Sequence, residues 1–138
     1  MRIWLEIYQA TQNPSLPEYH KDTKQMTEFK TVFHVSDEEK VSSALRGIQN
    51  LIEDKKLPNK EIALVANGGA VKKFILEADF LEDVMMKVNQ NVSIYACSNS
   101  LEAFKINKNQ LVKEVSIVPS GVGELTILQN KGYAYIRI

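Results

Sequence analysis

Cys97 is the chain's only cysteine, and it stands where the apolar run Val92-Ser-Ile-Tyr-Ala96 gives way to Ser98-Asn-Ser100. The run is short and rich in β-branched residues, as a strand buried on both faces would be. Ser98, Asn99 and Ser100 can each accept bonds from free helix amides, so any of the three can cap a helix that begins here. A sulfur at such a junction lies at the carboxyl end of a strand and beside the positive end of a helix dipole, which favours thiolate over thiol. The chemistry on offer is nucleophilic attack, including attack on a sulfane sulfur. With no second cysteine to resolve an adduct, sulfur accepted here must leave to another molecule. The competing reading is a cysteine that serves as a small buried hydrophobe.

Few other residues offer comparable chemistry. His34 closes an apolar run, Thr31-Val-Phe-His-Val35, and is a candidate base or positive neighbour for the thiolate. If the second strand separates the first from the third, His34 and Cys97 lie about 10 Å apart, and Asn67 on the intervening strand is the nearer candidate. Gly68 and Gly69 form a glycine turn ahead of a helical pattern and can cradle an anion, although a plain tight turn is the favoured explanation. They lack both the G-x-G-x-x-G spacing and a P-loop lysine. Ser120-Gly-Val-Gly123 reads as a helix cap with close packing, its amides directed to the same side. Two histidines and one cysteine without ligand spacing exclude an evident metal site, and no cofactor is expected.

The elements that must position these residues alternate. Ser36-Asp-Glu-Glu39 has the spacing of a capping box, and the helix it opens carries Val41, Ala44, Leu45, Ile48, Leu51 and Ile52 on one stripe. A second strand spans Glu61 to Ala66. Val71, Phe74 and Ile75 begin a short helix, and Phe80 to Val88 patterns as another. The cysteine strand, a helix over Leu101 to Leu111, a strand at Val115 to Val118, a helix from about Val122 to Asn130 and a strand at Tyr133 to Ile138 complete the chain. Strands separated by helices require crossover connections, so the expected fold is a three-layer α/β/α domain with a five-stranded, mainly parallel sheet. Right-handed crossovers put every strand-to-helix loop at one edge, where ligands bind in open sheets. That rim gathers His34 and Ser36, Asn67 to Gly69, Cys97 to Ser100 with Asn99 between them, and Ser120 to Gly123 with Gly121 between them.

Residues 1–27 read differently. Ile3, Leu5 and Ile7 alternate as in a strand, Asn13-Pro-Ser-Leu-Pro17 breaks regular structure, and the segment is expected to be an extension that packs on the body or on a neighbouring subunit. The domain proper is then 28–138. Seventeen basic and seventeen acidic residues balance to zero formal charge without long blocks, which argues against nucleic acid or an anionic membrane as a partner. The single cysteine, the absence of a signal-peptide pattern and the absence of an apolar run long enough to span a bilayer point to the cytoplasm.

Taken together, Val32-Phe-His-Val-Ser36, Ala66-Asn-Gly-Gly69, Ile94-Tyr-Ala-Cys-Ser-Asn-Ser-Leu101 and Val118-Pro-Ser-Gly-Val-Gly-Glu-Leu125, continuing through Gly132-Tyr-Ala-Tyr, resemble the DsrE/DsrF-like family of small sulfur-relay proteins and their stand-alone relatives. The resemblance covers about residues 29 to 138. It implies five parallel strands, a homo-oligomer (commonly a trimer or hexamer), and a cysteine at the position of Cys97 that carries sulfur as a persulfide between donor and acceptor proteins. Two positions depart from the family's frequent pattern: Ser98 stands where glycine often follows the cysteine, and Asn67 where relatives often carry histidine, so no proton shuttle is expected from that strand. The expected function is intracellular sulfur transfer through Cys97. Two rivals belong to other classes, a non-catalytic oligomeric module that binds a small anion or nucleotide at the same rim, and a purely structural assembly partner.

Overall fold

The computed structural model describes residues 29–138. The expected strand at Ile3 to Ile7, the break at Asn13 to Pro17 and the extension as a whole lie outside the described residues. Five strands form one sheet in the order β4-β3-β2-β1-β5. They are β1 (Phe29–Val35), β2 (Lys60–Ala66), β3 (Ser93–Cys97), β4 (Ser116–Val118) and β5 (Ala134–Arg137), and every neighbouring pair is parallel. Thus β2 does separate β1 from β3.

One face of the sheet is covered by α1 (Val41–Glu53), a 3₁₀ segment (Gly68–Phe74), α2 (Leu81–Asn89) and the short α3 (Ser98–Ala103), and the other by α4 (Gly121–Asn130). The stripe on α1 explains its place: Val41, Ala44, Leu45 and Ile48 are all at most 1% exposed and pack with Phe33, Val35, Leu64 and Phe74. Burying a side chain such as Leu45 or Ile48 stabilises the fold by roughly 1.5 to 3 kcal/mol. On the opposite face Val32, Ala63 and Val65 meet Leu125 and Leu128 of α4. Alternation within β1, β2 and β3 thus supplies both cores, so these strands read as nearly continuous apolar runs.

Three expectations are corrected. The Ser36 to Glu39 capping box does not form: a 3₁₀ turn at Glu38–Lys40 precedes α1, and no side chain caps either element. The Ser36 hydroxyl is engaged elsewhere. The helix expected over Leu101 to Leu111 stops at Ala103, since Lys105 takes a left-handed φ of 56° and a separate 3₁₀ turn follows at Lys108–Gln110. The short helix expected to begin over Val71 to Ile75 is a 3₁₀ segment that starts at Gly68 and already ends at Phe74. Among the described residues, no helix is long and apolar enough to cross a membrane.

Candidate functional site

Register decides which side chains meet at the carboxyl edge. His34 pairs with Val65 and with Arg137, and Val65 pairs with Tyr95, so these four share a face. Two residues further along their strands, Asn67 and Cys97 lie on that same face, the one α4 covers. The start of α4 then meets both: a Cβ placed on Gly121 would lie 3.1 Å from Asn67 Cβ and 3.4 Å from Cys97 Cβ. Only glycine brings that backbone so close without a shift.

Cys97 is itself the N-cap of α3, with extended backbone angles, and Ser98 is the first helical residue. The cap therefore falls on the cysteine, ahead of the three residues expected to supply it. The sulfur occupies the place where a serine or aspartate oxygen usually accepts amide bonds. Cys97 is 6% exposed, and burial alone would push its thiol up. The Ser100 hydroxyl and the N–H groups of Gly121, Ser100 and Asn99 outweigh that effect and hold the thiol below its ordinary value. No amide closes a full capping bond to the thiol, so the stabilisation is spread over several donors that surround the sulfur. Ser100 Oγ in turn accepts the Gly68 N–H at 2.7 Å, which ties the glycine loop to the cysteine helix.

Beside this centre lies a second polar cluster. Asn67 Oδ1 accepts the Ser36 hydroxyl at 2.6 Å and His34 Nε2–H at 3.0 Å. His34 Nδ1 accepts the Tyr135 hydroxyl at 2.6 Å, and Arg137 Nη1 donates to Ser36 Oγ at 2.7 Å. Since Asn67 Oδ1 only accepts, the network assigns the imidazole proton to Nε2. Arg137 Nη1 is 3.2 Å from one ring nitrogen of His34 and 3.3 Å from the other, so it sits against the ring between them. Burial lowers the His34 pKa, the bond to Asn67 opposes that, and the Arg137 charge lowers it further, so the ring is held neutral below its ordinary titration range.

Of the residues singled out from sequence, Cys97, Asn67, Asn99 and Gly121 meet at one point, and Gly68 joins them through Ser100. Gly68 has a φ of 54°, and a Cβ there would lie 2.9 Å from the Ser36 carbonyl oxygen, so a side chain is excluded on both grounds. Gly69 instead faces Glu38 and the Ser36 carbonyl at 3.8 Å or more. Ser120 Oγ accepts the Gly123 N–H at 3.1 Å and caps α4. His34 joins the second cluster, with Asn67 between it and the cysteine. Cavities of about 250, 280 and 170 Å³ open at the amino edge around Pro58 and Gln90, between α1 and α2, and beside Ile75 and Asn109, and none of these three includes a rim residue. Among the described residues, no group of three or more His, Cys, Asp and Glu side chains could hold a metal ion.

Residues 30–138 match the model of the DsrE/DsrF-like family. The chain belongs to the DsrE/DsrF-like family. No match is found among curated proteins. Among solved structures, this DsrE/DsrF-like chain is similar to MTH1491 from Methanobacterium thermoautotrophicum, a protein of unknown function, at 32% identity and a TM-score of 0.73, over 80% of this chain and 99% of that one. The ychN protein from E. coli follows at 18% identity and a TM-score of 0.67, over 80% and 99%. BT1422 from Bacteroides thetaiotaomicron, a conserved protein of unknown function, stands at 15% and 0.63, over 79% and 94%. The last two bear on the fold alone.

Sequence reasoning placed Ser36 and Ser100 on the rim but missed Ser100 as a donor to the sulfur, and it missed Tyr135 and Arg137 as parts of the rim. The signal for the last two was available: in a parallel sheet with β5 beside β1, alternate residues of Tyr135-Ile-Arg137 fall on the His34 face.

Proposed function

We propose that this DsrE/DsrF-like chain is an intracellular sulfur carrier that holds sulfane sulfur as a persulfide on Cys97. The Cys97 thiolate attacks the outer sulfur of a donor persulfide. A bond forms between Sγ and that sulfur, the donor's S–S bond breaks, and the electron pair leaves on the donor thiolate. The observation that carries this reading is the gathering of the Ser100 hydroxyl and three backbone N–H groups around one buried sulfur, enough to reverse the effect of burial. A cysteine serving only as core packing would have its thiol pushed up by its apolar surroundings. Asn67 and Gly121 wall the sulfur, with His34 behind Asn67, and an acceptor protein removes the sulfur because the chain has no second thiol.

Residues 1–27 form an extension to a 28–138 domain in this reading, supported by a family match that begins at residue 30. The working unit is a homo-oligomer, a trimer or hexamer, and light scattering on the full chain measures it.

The deciding experiment is the pH dependence of Cys97 alkylation, with intact mass after exposure to a sulfane-sulfur donor. A thiolate formed below the ordinary range, one added sulfur, and loss of that sulfur in Cys97→Ser are expected. A slow, unshifted thiol that takes up no sulfur overturns the proposal.

A further inference from the structure

Arg137 is an exposed cation on the edge strand whose side chain folds back over the end of the sheet. There one of its nitrogens is fixed by Ser36 and set against the His34 ring. The ion pairs among the described residues are made by Lys40, Lys72, Lys73 and Lys87, and none reaches Arg137. A guanidinium has five N–H donors in a rigid fork, and the contacts to Ser36 and His34 engage only Nη1. The remaining nitrogens are positioned, and among the described residues none is matched to a carboxylate.

We infer that Arg137 is the anion-recognition residue of the rim: it binds a carboxylate of a low-molecular-weight thiol persulfide while the outer sulfur of that donor lies at Cys97. This rests on the sulfur-carrier reading and names its substrate class. The span supports it. Arg137 leans over the end of β1, two strand intervals from β3, which puts its fork about 10 Å from the sulfur. A donor the size of a tripeptide bridges that distance, whereas hydrogen sulfide does not. The rim between them presents Asn67 and the backbone at Gly121, polar groups suited to an amide-bearing chain. Transfer follows the balanced step above, with the donor leaving as its thiolate.

The test uses the full chain and two donors, glutathione persulfide, which carries carboxylates, and cysteamine persulfide, which carries none. Initial rates of sulfur loading on Cys97 are read by intact mass. Arg137→Gln should slow loading from glutathione persulfide about tenfold, the worth of one charge-assisted contact, and leave loading from cysteamine persulfide within about twofold. Arg137→Lys, which keeps the charge but not the fork, should recover only part of the loss. Equal slowing with both donors, or no change with either, overturns the inference while the carrier reading stands. Should Cys97 take sulfur from neither donor, the carrier reading fails instead. Calorimetric binding of reduced glutathione then decides the inference, since affinity unchanged by Arg137→Gln overturns it.

Discussion

Ser100 Oγ accepts the Gly68 N–H at 2.7 Å, and the same hydroxyl acts on the Cys97 sulfur. A hydroxyl with its oxygen engaged in this way directs its proton away from the amide, here toward the thiolate. Ser100→Ala removes the donor and leaves the charged form less favoured. The Cys97 pKa should rise, because a hydrogen bond that favours the charged form is lost. The midpoint of the alkylation profile measures this. Ser98→Ala, one position into α3 and not among the groups acting on the sulfur, should leave the midpoint in place.

Two glycines of the rim should differ in their tolerance of a methyl group. At Gly121 the added Cβ meets side-chain carbons of Asn67 and Cys97 at 3.1 and 3.4 Å, so one of the two loops must give by a few tenths of an ångström. Gly121→Ala should destabilise the fold by about 1 to 2 kcal/mol, in the range of modest overpacking, and slow Cys97 alkylation by moving the sulfur. Gly68→Ala faces both a left-handed φ and a backbone oxygen at 2.9 Å. Its loss should be the larger, and denaturant midpoints of the two variants give the order.

Much of this arrangement was legible in the sequence, and the exceptions share a cause. The strands could be placed because Val32, Phe33 and Val35, and likewise Ile62 to Ala66, put apolar residues on both faces, and α1 because Val41, Ala44, Leu45 and Ile48 repeat at helical spacing. Parallel topology then brought Asn67, Cys97 and Gly121 to one edge without any knowledge of contacts. What failed was short-range detail decided by tertiary partners. Ser36 has the spacing of a cap, yet its hydroxyl finds Asn67 and Arg137, the latter 101 residues away. The apolar residues Leu101, Ile106 and Leu111 suggested one helix, but Leu111 is paired with Ile75 in an isolated bridge, which requires the chain to turn first. Neither partner is visible in a local window.

The neutral state of His34 gives stability a pH dependence of definite sign. Its folded pKa lies below the ordinary 6.5, chiefly through burial. Between the two values the unfolded chain binds a proton that the folded chain does not, so unfolding free energy rises with pH in that window. The contribution is complete above 6.5 and is lost as pH falls through the folded pKa. Wild-type stability should begin to decline as pH drops below this value, ahead of the carboxylates, and His34→Gln should flatten that part of the curve. Arg137→Gln removes a positive neighbour, raises the His34 pKa and should narrow the window. Denaturation midpoints at a series of pH values in the three proteins test all three statements.

Lys87 is the described lysine buried most deeply, 2% exposed on α2, and its ion-pair partner Asp83 lies 4.0 Å away and half exposed. Such a pair is long, and the desolvation of the ammonium is set against a weak attraction. The residue lines the groove between α1 and α2 together with Leu45 and Met86, and its methylene stem is buried with it. Lys87→Met keeps the stem and drops the charge, and should be neutral or stabilising by up to about 1 kcal/mol. Lys87→Ala drops both, opens a cavity and should cost about 2 kcal/mol or more. If the methionine variant lost as much stability as the alanine variant, the charge and not the stem would be the stabilising element at this position. Urea denaturation of the two variants separates the outcomes.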